Sequence, residues 1–248
     1  MTDYLVLAAA AFFAGMLNTV AGGGTFLTFP ALVYTGVPVV AANATSAVAV
    51  FPGYLAGAAG FRREIATFDR TRLVKIVAAT AIGGLIGSVL LLVSSNEAFS
   101  AVVPFLLALA TLAFAFGDKI RDWAQRHSFG SAEGPVGAVL VSIYGGYFNG
   151  GLGIVLLALF SLWGMRDINL MNGLKNGLSF VLSAISVATF ALAGLVAWPQ
   201  ALVMMVAATA GGYAGAPLAR ALPRSVVRAV VIVVGAAMST IFFWRLFA

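Results

Sequence analysis

The sequence predicts an all-α polytopic membrane protein with two inverted-topology repeats, each with a glycine-broken (re-entrant) first segment followed by three membrane-spanning helices. Three observations predict this fold class. The 248 residues are 62% hydrophobic and only 9% charged, whereas soluble domains carry about 25% charged residues. Apolar segments long enough to cross a bilayer recur along the whole chain. The two halves also share landmarks in the same order.

The apolar segments cover residues 4–35, 37–61, 73–93, 98–117, 134–165, 168–197, 199–220 and 225–247. The longest polar stretch, DKIRDWAQRHSFGSAE, lies between the fourth and fifth segments. We therefore predict a first transmembrane repeat at 1–117, a central polar cytoplasmic loop at 118–133 and a second transmembrane repeat at 134–248. The apolar N-terminus contains Asp3 and lacks the positive region of a signal peptide, which indicates a retained first segment.

Glycine and asparagine landmarks recur in the two halves at a spacing of about 130 residues. GMLN at 15–18 and GYFN at 146–149 each precede a glycine cluster, formed by Gly22, Gly23 and Gly24 in the first half and by Gly150, Gly151 and Gly153 in the second. A glycine turn and an asparagine follow, at Gly36 and Asn43 and again at Gly164 and Asn172. Later glycines in AATAIGGLIG at 78–87 match those in AATAGGYAG at 207–215, and we interpret these as helix-packing positions.

The distribution of basic residues predicts the orientation of the repeats. Segment 4–35 is too long for one span and too short for two. If it turns back at its glycines, each half crosses the membrane an odd number of times and most basic residues face one side, which the positive-inside rule makes cytoplasmic. These are Arg62, Arg63, Arg70, Arg72, Lys75, Lys119, Arg121, Arg126, Arg166, Arg220, Arg224 and Arg228. A single crossing would divide them between both sides, so we predict inverted repeats with both termini outside the cytoplasm.

The glycine clusters predict breaks in membrane helices, because each glycine costs about 1 kcal/mol relative to alanine inside a helix. A non-helical backbone at that depth must be buried in protein or line an aqueous cavity. The returning helices would begin near Thr25 and Ile154, and their free N–H groups and positive dipole ends suit an anion. The alternative for Gly22–Gly24 is that small residues merely let helices pack closely.

Further polar residues extend this predicted anion site. Lys175 lies about 10 Å along its helix, and cations inside the membrane are rare and usually functional. Its alternative is snorkelling to the cytoplasmic interface. The alternative for Thr45 and Ser46 is that their hydroxyls bond to the preceding helical turn. The alternative for Asn149 is that it caps a broken helix end. The predicted polar ligands beside the glycines are Asn43, Thr45, Ser46, Asn149, Asn172, Lys175 and Asn176.

Several function classes are excluded by what the sequence lacks. The absence of cysteine excludes disulfides and thiol chemistry. All eight acidic residues lie at segment ends or in loops, and the single histidine, His127, lies in the central polar region. The sequence therefore predicts no enzyme, metal site or cofactor. The net charge of +6 comes mostly from short connections between spans, which indicates cytoplasmic loops rather than nucleic-acid binding.

The chain resembles the TauE/SafE sulfite-exporter family (TSUP). The resemblance covers nearly the whole chain and rests on AGGGTFLTFPALVYTGVP with ANATSAVAVFPGYLAG in the first half, and on YGGYFNGGLGIVLLALFSLWGM with NGLKNGLSF in the second. It implies export of sulfite or small organosulfonates across a bacterial inner membrane without a cofactor. The binding roles given above come from the helix-end and lysine arguments, not from the family.

We therefore predict a transporter that exports a small sulfur-containing anion, sulfite or an organosulfonate such as sulfoacetate, by alternating access. Its expected partners are the anionic substrate, the lipid bilayer and, as a hypothesis, a second copy of the chain. The two halves differ between Thr45-Ser46 and Lys175-Asn176, which favours one asymmetric anion site. The alternatives are an anion channel with the same pore chemistry and a membrane assembly factor without transport.

Overall fold

The computed structural model describes residues 2–20, 23–127, 135–221 and 224–247, and the regular secondary structure in these ranges is α-helical. The described residues form helices α1 (Thr2–Val20), α2 (Thr25–Tyr34), α3 (Val39–Gly60), α4 (Arg62–Ile65), α5 (Arg70–Val93), α6 (Asn96–Arg126), α7 (Pro135–Phe148), α8 (Leu152–Leu162), α9 (Ile168–Leu192), α10 (Trp198–Ala221) and α11 (Arg224–Phe247). The prediction of an all-α protein is confirmed.

Several helices begin and end at local sequence signals. Asp69 caps α5 by accepting the N–H of Arg72 at 2.8 Å, and Ser95 caps α6 by accepting the N–H of Ala98 at 3.1 Å. Asp167 caps α9 in the same way.

Glycine turns follow the two short helices that come after the breaks. Gly36 after α2 has a φ of 85°, and Gly164 after α8 has a φ of 79°. Both lie in the left-handed region, which glycine enters without a Cβ clash. The two halves therefore leave their short helices by the same turn.

Helix α6 extends further than expected. The sequence predicts a polar loop from residue 118, but the helix continues through Arg126. Residues 118–126 contain neither glycine nor proline and include several good helix formers, so a polar composition alone does not end the helix. The remainder of the predicted loop, residues 128–133, lies outside the described residues.

Four helices are long and apolar enough to cross a membrane within the part of the chain that was described. They are Val39–Gly60, Arg70–Val93, the portion Asn96–Ala113 of α6, and Ile168–Leu192. Large apolar side chains on them, such as Ile82, Val93 and Phe105, are exposed on the outer surface of the bundle. Length, hydropathy and this apolar surface together indicate a multi-pass membrane protein.

The helix contacts keep the same pattern when the two halves of the chain are exchanged. Helix α1 packs mainly against α10, and its counterpart α7 packs against α5. Helix α3 packs against both α9 and α10, while α9 packs against both α3 and α5. Helix α6 packs against α11. The most extensive helix contacts therefore join the two halves, which pack together as one bundle.

The tight contacts between the halves depend on glycine. A Cβ atom at Gly211 in α10 would lie 2.7 Å from the carbonyl carbon of Phe12 in α1. A Cβ atom at Gly83 in α5 would lie 2.7 Å from the Cβ of Ser142 in α7. Real Cβ atoms do not approach other heavy atoms this closely. The interpretation of these glycines as packing positions is confirmed at both interfaces.

The buried apolar residues of the described chain form two clusters. The first surrounds Phe29 of α2, whose ring lies 5.8 Å from that of Phe148 at the end of α7. The second surrounds Phe160 of α8 and includes Leu178 of α9. Each short helix is thus buried in one cluster, which fixes the two helix breaks inside the bundle.

Candidate functional site

The first helix break occurs at the predicted glycines. Helix α1 ends at Val20 and α2 begins at Thr25, while Gly22 lies outside the described residues. Gly23, Gly24 and Thr25 are buried. The N–H of Gly24 donates to the Asn18 side-chain oxygen at 2.8 Å, so the last turn of α1 caps the start of α2.

The backbone of Gly24 lies close to the side of α1 at this break. A Cβ atom at Gly24 would lie 2.9 Å from the carbonyl oxygen of Ala14, six residues before the end of α1 at Val20. Glycine is therefore needed here for the close approach of α2 to α1.

The second break lies between Phe148 and Leu152, again at the predicted glycines. Asn149 has a φ of 44° and Gly151 a φ of 72°, so two left-handed residues interrupt the helical backbone at this break. Tyr54 of α3 donates from its hydroxyl to the Asn149 side-chain oxygen at 3.5 Å. The hydroxyl of Tyr144 donates to the carbonyl oxygen of Gly150, also within this break.

Both breaks leave backbone N–H groups available. Among the described residues, no oxygen accepts the N–H groups of Gly23 and Thr25 at the first break or those of Gly151 and Gly153 at the second, although all four residues are buried. Buried N–H groups are nearly always paired. These groups lie at the starts of α2 and α8, where the helix dipole is positive. Each break therefore offers an anion two free donors.

Helix α3 connects both breaks through its predicted polar residues. Ser46 bonds to Thr28 of α2 with 2.6 Å between the hydroxyl oxygens, and the Thr28 hydroxyl also donates to the Gly24 carbonyl. Asn43 donates from its side-chain amide to the Tyr147 carbonyl at 2.9 Å, at the end of α7. One face of α3 therefore fixes the end of α7 and the start of α2 relative to each other.

Thr45 points to a different part of the fold. Its hydroxyl oxygen accepts the N–H of Ala197 at 3.0 Å, immediately before α10. Thr45 is fully buried. The structure thus separates Thr45 from Asn43 and Ser46, which the sequence placed in one group.

Helix α9 carries the predicted cation. Lys175 is only 8% exposed, and its Nζ donates to the Asn172 side-chain oxygen at 3.2 Å, one turn earlier on the same helix. Asn176 lies against α3, where a Cβ atom at Gly57 would be 2.8 Å from the side-chain nitrogen of Asn176. Burial of the whole Lys175 side chain among apolar helices is unlike a lysine that snorkels to the interface.

Alignment of the halves on Asn43 and Asn172 shows how the site is arranged. Phe51 of α3 then corresponds to Phe180 of α9, and these two rings stack on each other with centroids 5.0 Å apart. Two equivalent residues can touch in this way where a twofold axis passes between them. In the same alignment Ser46 corresponds to Lys175. Since Ser46 bonds to Thr28 of α2, this alignment predicts that its counterpart Lys175 faces α8.

The structure adds residues that the sequence did not single out. Thr28, Tyr54 and Tyr144 all bond to predicted site residues or to the breaks. Each is a polar residue within an apolar segment, and this is the feature of the sequence that could have identified it. Their partners are distant along the chain or across a break, so spacing alone does not identify them.

Two other features bear on the chemistry of the bundle. No group of His, Asp and Glu that could hold a metal ion occurs in the ranges described above.

A surface depression of about 380 Å³ lies between the α2–α3 and α9–α10 connections, lined in part by Pro38 and Gln200. It contains none of the predicted site residues, so it marks a different location from the two breaks.

Helices long enough to span a bilayer, two matched helix breaks inside the bundle and buried polar groups at those breaks are features of a multi-pass membrane transport protein. Comparison with known proteins gives the family. The profile of the family described as sulfite exporter TauE/SafE matches residues 7–242, and the chain belongs to this family. The family predicted from the sequence motifs is confirmed.

Similar proteins have been found in several bacteria. A probable membrane transporter protein of Haemophilus influenzae is 28% identical over 242 residues, covering 94% of this chain and 92% of the relative. The probable membrane transporter protein YfcA of Escherichia coli K12 is 27% identical over 243 residues, covering 94% and 87% of the two chains. A probable membrane transporter protein, ORF9, of a Sinorhizobium species is 24% identical over 232 residues, covering 93% and 88%. No solved structure matches the chain.

Proposed function

We propose that this protein exports a small sulfur-containing anion, sulfite or an organosulfonate such as sulfoacetate, across the inner membrane of a bacterium. The family description supports the substrate class, and the relatives are named as probable membrane transporters. The observation that carries the proposal is a buried cation, Lys175, whose side chain bonds to Asn172 and to no carboxylate among the described residues. A buried charge without a carboxylate partner favours an anionic ligand.

In the proposed site, the N–H groups of Gly151 and Gly153 at the start of α8 bind the anion and Lys175 neutralises it. The side chains of Asn172 and Asn176 provide further hydrogen bonds. The first break would contribute from the other side through Gly22, Gly23, Gly24, Thr25, Asn43 and Ser46 of the predicted group, whereas the hydroxyl of Thr45 is bonded to the N–H of Ala197 before α10. The different polar side chains at equivalent positions of the two halves, Ser46 in α3 and Lys175 in α9, support one asymmetric site rather than two equal sites.

The proposed topology has inverted repeats, re-entrant first segments and both termini outside the cytoplasm. Exchange symmetry of the helix contacts and the stacked pair Phe51 and Phe180 support a twofold relation between the halves. The close approach of Gly24 to Ala14 supports a turn back at the first break. The charge distribution along the sequence supports the cytoplasmic assignment of the basic connections.

Alternating access would arise from rocking of the two halves about the α3–α9 contact. That contact is built from one residue of each half at its centre, the Phe51 and Phe180 rings, so a modest rotation can change it without breaking backbone bonds. Because the interior of the spans contains no carboxylate, any coupling to protons must use Lys175 or the protonation of the anion itself. Sulfite exchanges between singly and doubly charged forms near neutral pH, so the second route is available to it.

The proposal is tested by the flux of radiolabelled sulfite and sulfoacetate in proteoliposomes. The variants are Lys175→Ala and, as the matched control, Lys119→Ala, which removes an exposed cation from the polar end of α6. We expect saturable flux that is lost in Lys175→Ala and retained in Lys119→Ala. Unchanged flux and concentration dependence in Lys175→Ala would refute the proposed site. Counterflow distinguishes a carrier from a channel, since only a carrier accelerates uptake against a load on the opposite side.

A further inference from the structure

Helix α9 carries a line of buried polar residues that extends beyond the proposed site. Lys175, Ser179, Ser183 and Ser186 are spaced by four, four and three residues, which places them on one face of the helix. They are 8%, 1%, 0% and 2% exposed, respectively. The line covers about 16 Å of helix, which is about half of the hydrocarbon thickness of a bilayer.

Two of these serines have no hydrogen-bond partner. The hydroxyl oxygens of Ser183 and Ser186 are fully buried and bond to nothing among the described residues. Serine in an apolar helix usually bonds back to its own preceding turn, as Ser161 does to the Leu157 carbonyl at 2.9 Å. An unpaired buried hydroxyl costs about 1–3 kcal/mol, so two on one face of one helix require an explanation.

Helix α3 is the counterpart of α9 in the first half, and the contacts of its polar residues indicate what the polar face of α9 is directed at. On α3, Asn43 bonds to the end of α7, Ser46 to α2, and Tyr54 to Asn149 in the second break. In the alignment of the halves, Ser183 corresponds to Tyr54. The line on α9 therefore occupies the face that is directed at the helix breaks.

The flanking residues of α9 are occupied by packing. Phe180 stacks on Phe51 of α3, and Leu182 lies against Gly84 of α5. The polar line lies between these two contact surfaces. Serine also occurs at packed interfaces between membrane helices, but its hydroxyl is then expected to bond across the interface or to its own helix, which the hydroxyls of Ser183 and Ser186 do not.

We propose that Lys175, Ser179, Ser183 and Ser186, the α9 hydroxyl line, form the path by which a small oxyanion leaves the lysine toward the far side of the membrane. The identity of the anion rests on the proposed function. Lys175 is the sole charged residue in the sequence of α9, and each serine can donate an O–H group. Successive hydroxyls lie within about one helical turn of each other, so the anion passes from donor to donor. The line is closed in this structure, since Ser183 has no exposed surface, and it opens when α9 moves relative to α3.

The chain contains no cysteine, so single cysteines test the path directly. Ser183→Cys and Ser186→Cys are treated in membrane vesicles with two thiol reagents of similar size, a sulfonate-bearing methanethiosulfonate and a trimethylammonium-bearing one. We expect both cysteines to react. When each rate is divided by the rate of the same reagent with a small thiol in solution, we expect the anionic reagent to be favoured at least about tenfold, because Lys175 attracts it. Adding Lys175→Ala should remove that preference. Ser161→Cys, which replaces a buried serine bonded to its own helix, should stay unreactive.

The result that overturns the path is a lack of reaction at both positions under conditions in which Ser95→Cys, at an exposed helix end, reacts completely. Such protection would make the serines a helix-packing face. Equal rates for the two reagents, after division by their rates with a small thiol in solution, would overturn the anion path as well. Each variant is first checked for an unchanged size-exclusion profile, and Ser179→Cys replaces any variant that fails this check. The labelling result does not depend on the transported substrate, so it is distinguishable from a failure of sulfite flux.

Discussion

The contact between α1 and α10 gives the sharpest prediction about stability. In Gly211→Ala, the new Cβ atom would lie 2.7 Å from the carbonyl carbon of Phe12, whereas ordinary contacts begin at 3.4 Å. The helices must therefore separate by at least about 0.7 Å, because a backbone neighbour cannot rotate away as a side chain can. Overpacking of this kind costs about 1–3 kcal/mol. The strained contact involves α1, the helix that ends at the first break.

The matched control is Gly177→Ala in α9, because no atom lies within 4 Å of its new Cβ. Alanine is favoured over glycine in a helix by about 0.5–1 kcal/mol, so the control should be neutral or stabilising. At about 2–4 °C per kcal/mol, Gly211→Ala should lower the melting temperature by roughly 2–12 °C. Fluorescence-detected size exclusion after heating measures both variants in detergent. Equal melting of Gly211→Ala and wild type would refute the close contact between α1 and α10.

Three further predictions concern the break contacts and the topology. Asn43→Ala removes the amide that donates a hydrogen bond to the carbonyl group at the end of α7, which should lower the free energy of unfolding by about 1–3 kcal/mol. The measurement is the melting temperature, which should fall. An unchanged melting temperature would mean that water replaces the amide. A double-mutant cycle of Thr28→Val and Ser46→Ala should give a coupling of about 1 kcal/mol, and additive effects would contradict the buried hydrogen bond. In intact cells, an impermeant thiol reagent should label Ser95→Cys and leave Ser225→Cys unlabelled, and similar labelling of both would contradict the inverted repeats.

The helix breaks were predictable because their cause is local. Three consecutive glycines, or a glycine cluster after an asparagine, weaken a helix wherever they occur. The sequence accordingly predicts both interruptions, and α2 and α8 begin at Thr25 and Leu152. The end of α6 was less predictable, since polar residues that form helices well can continue a span into solvent, as residues 118–126 do.

The roles of the predicted polar side chains were harder to foresee. Asn43, Thr45 and Ser46 are nearly adjacent in sequence, yet they bond to α7, to the start of α10 and to α2. The partners of Asn43 and Thr45 are 104 and 152 residues away. Which face of a helix meets which neighbour depends on packing between the two halves, and no local pattern encodes it.

By itself, the sequence determined that the chain is helical, that it is apolar enough for a membrane, where its helices break and which family it resembles. These properties follow from composition, glycine positions and short motifs, which act within a few residues. Only the tertiary structure decided that Gly24 is capped by Asn18, that other N–H groups at the starts of both α2 and α8 stay open, and that Ser183 and Ser186 are buried without partners. Those outcomes depend on how the two halves pack against each other, because burial and hydrogen-bond pairing are set by residues far apart along the chain.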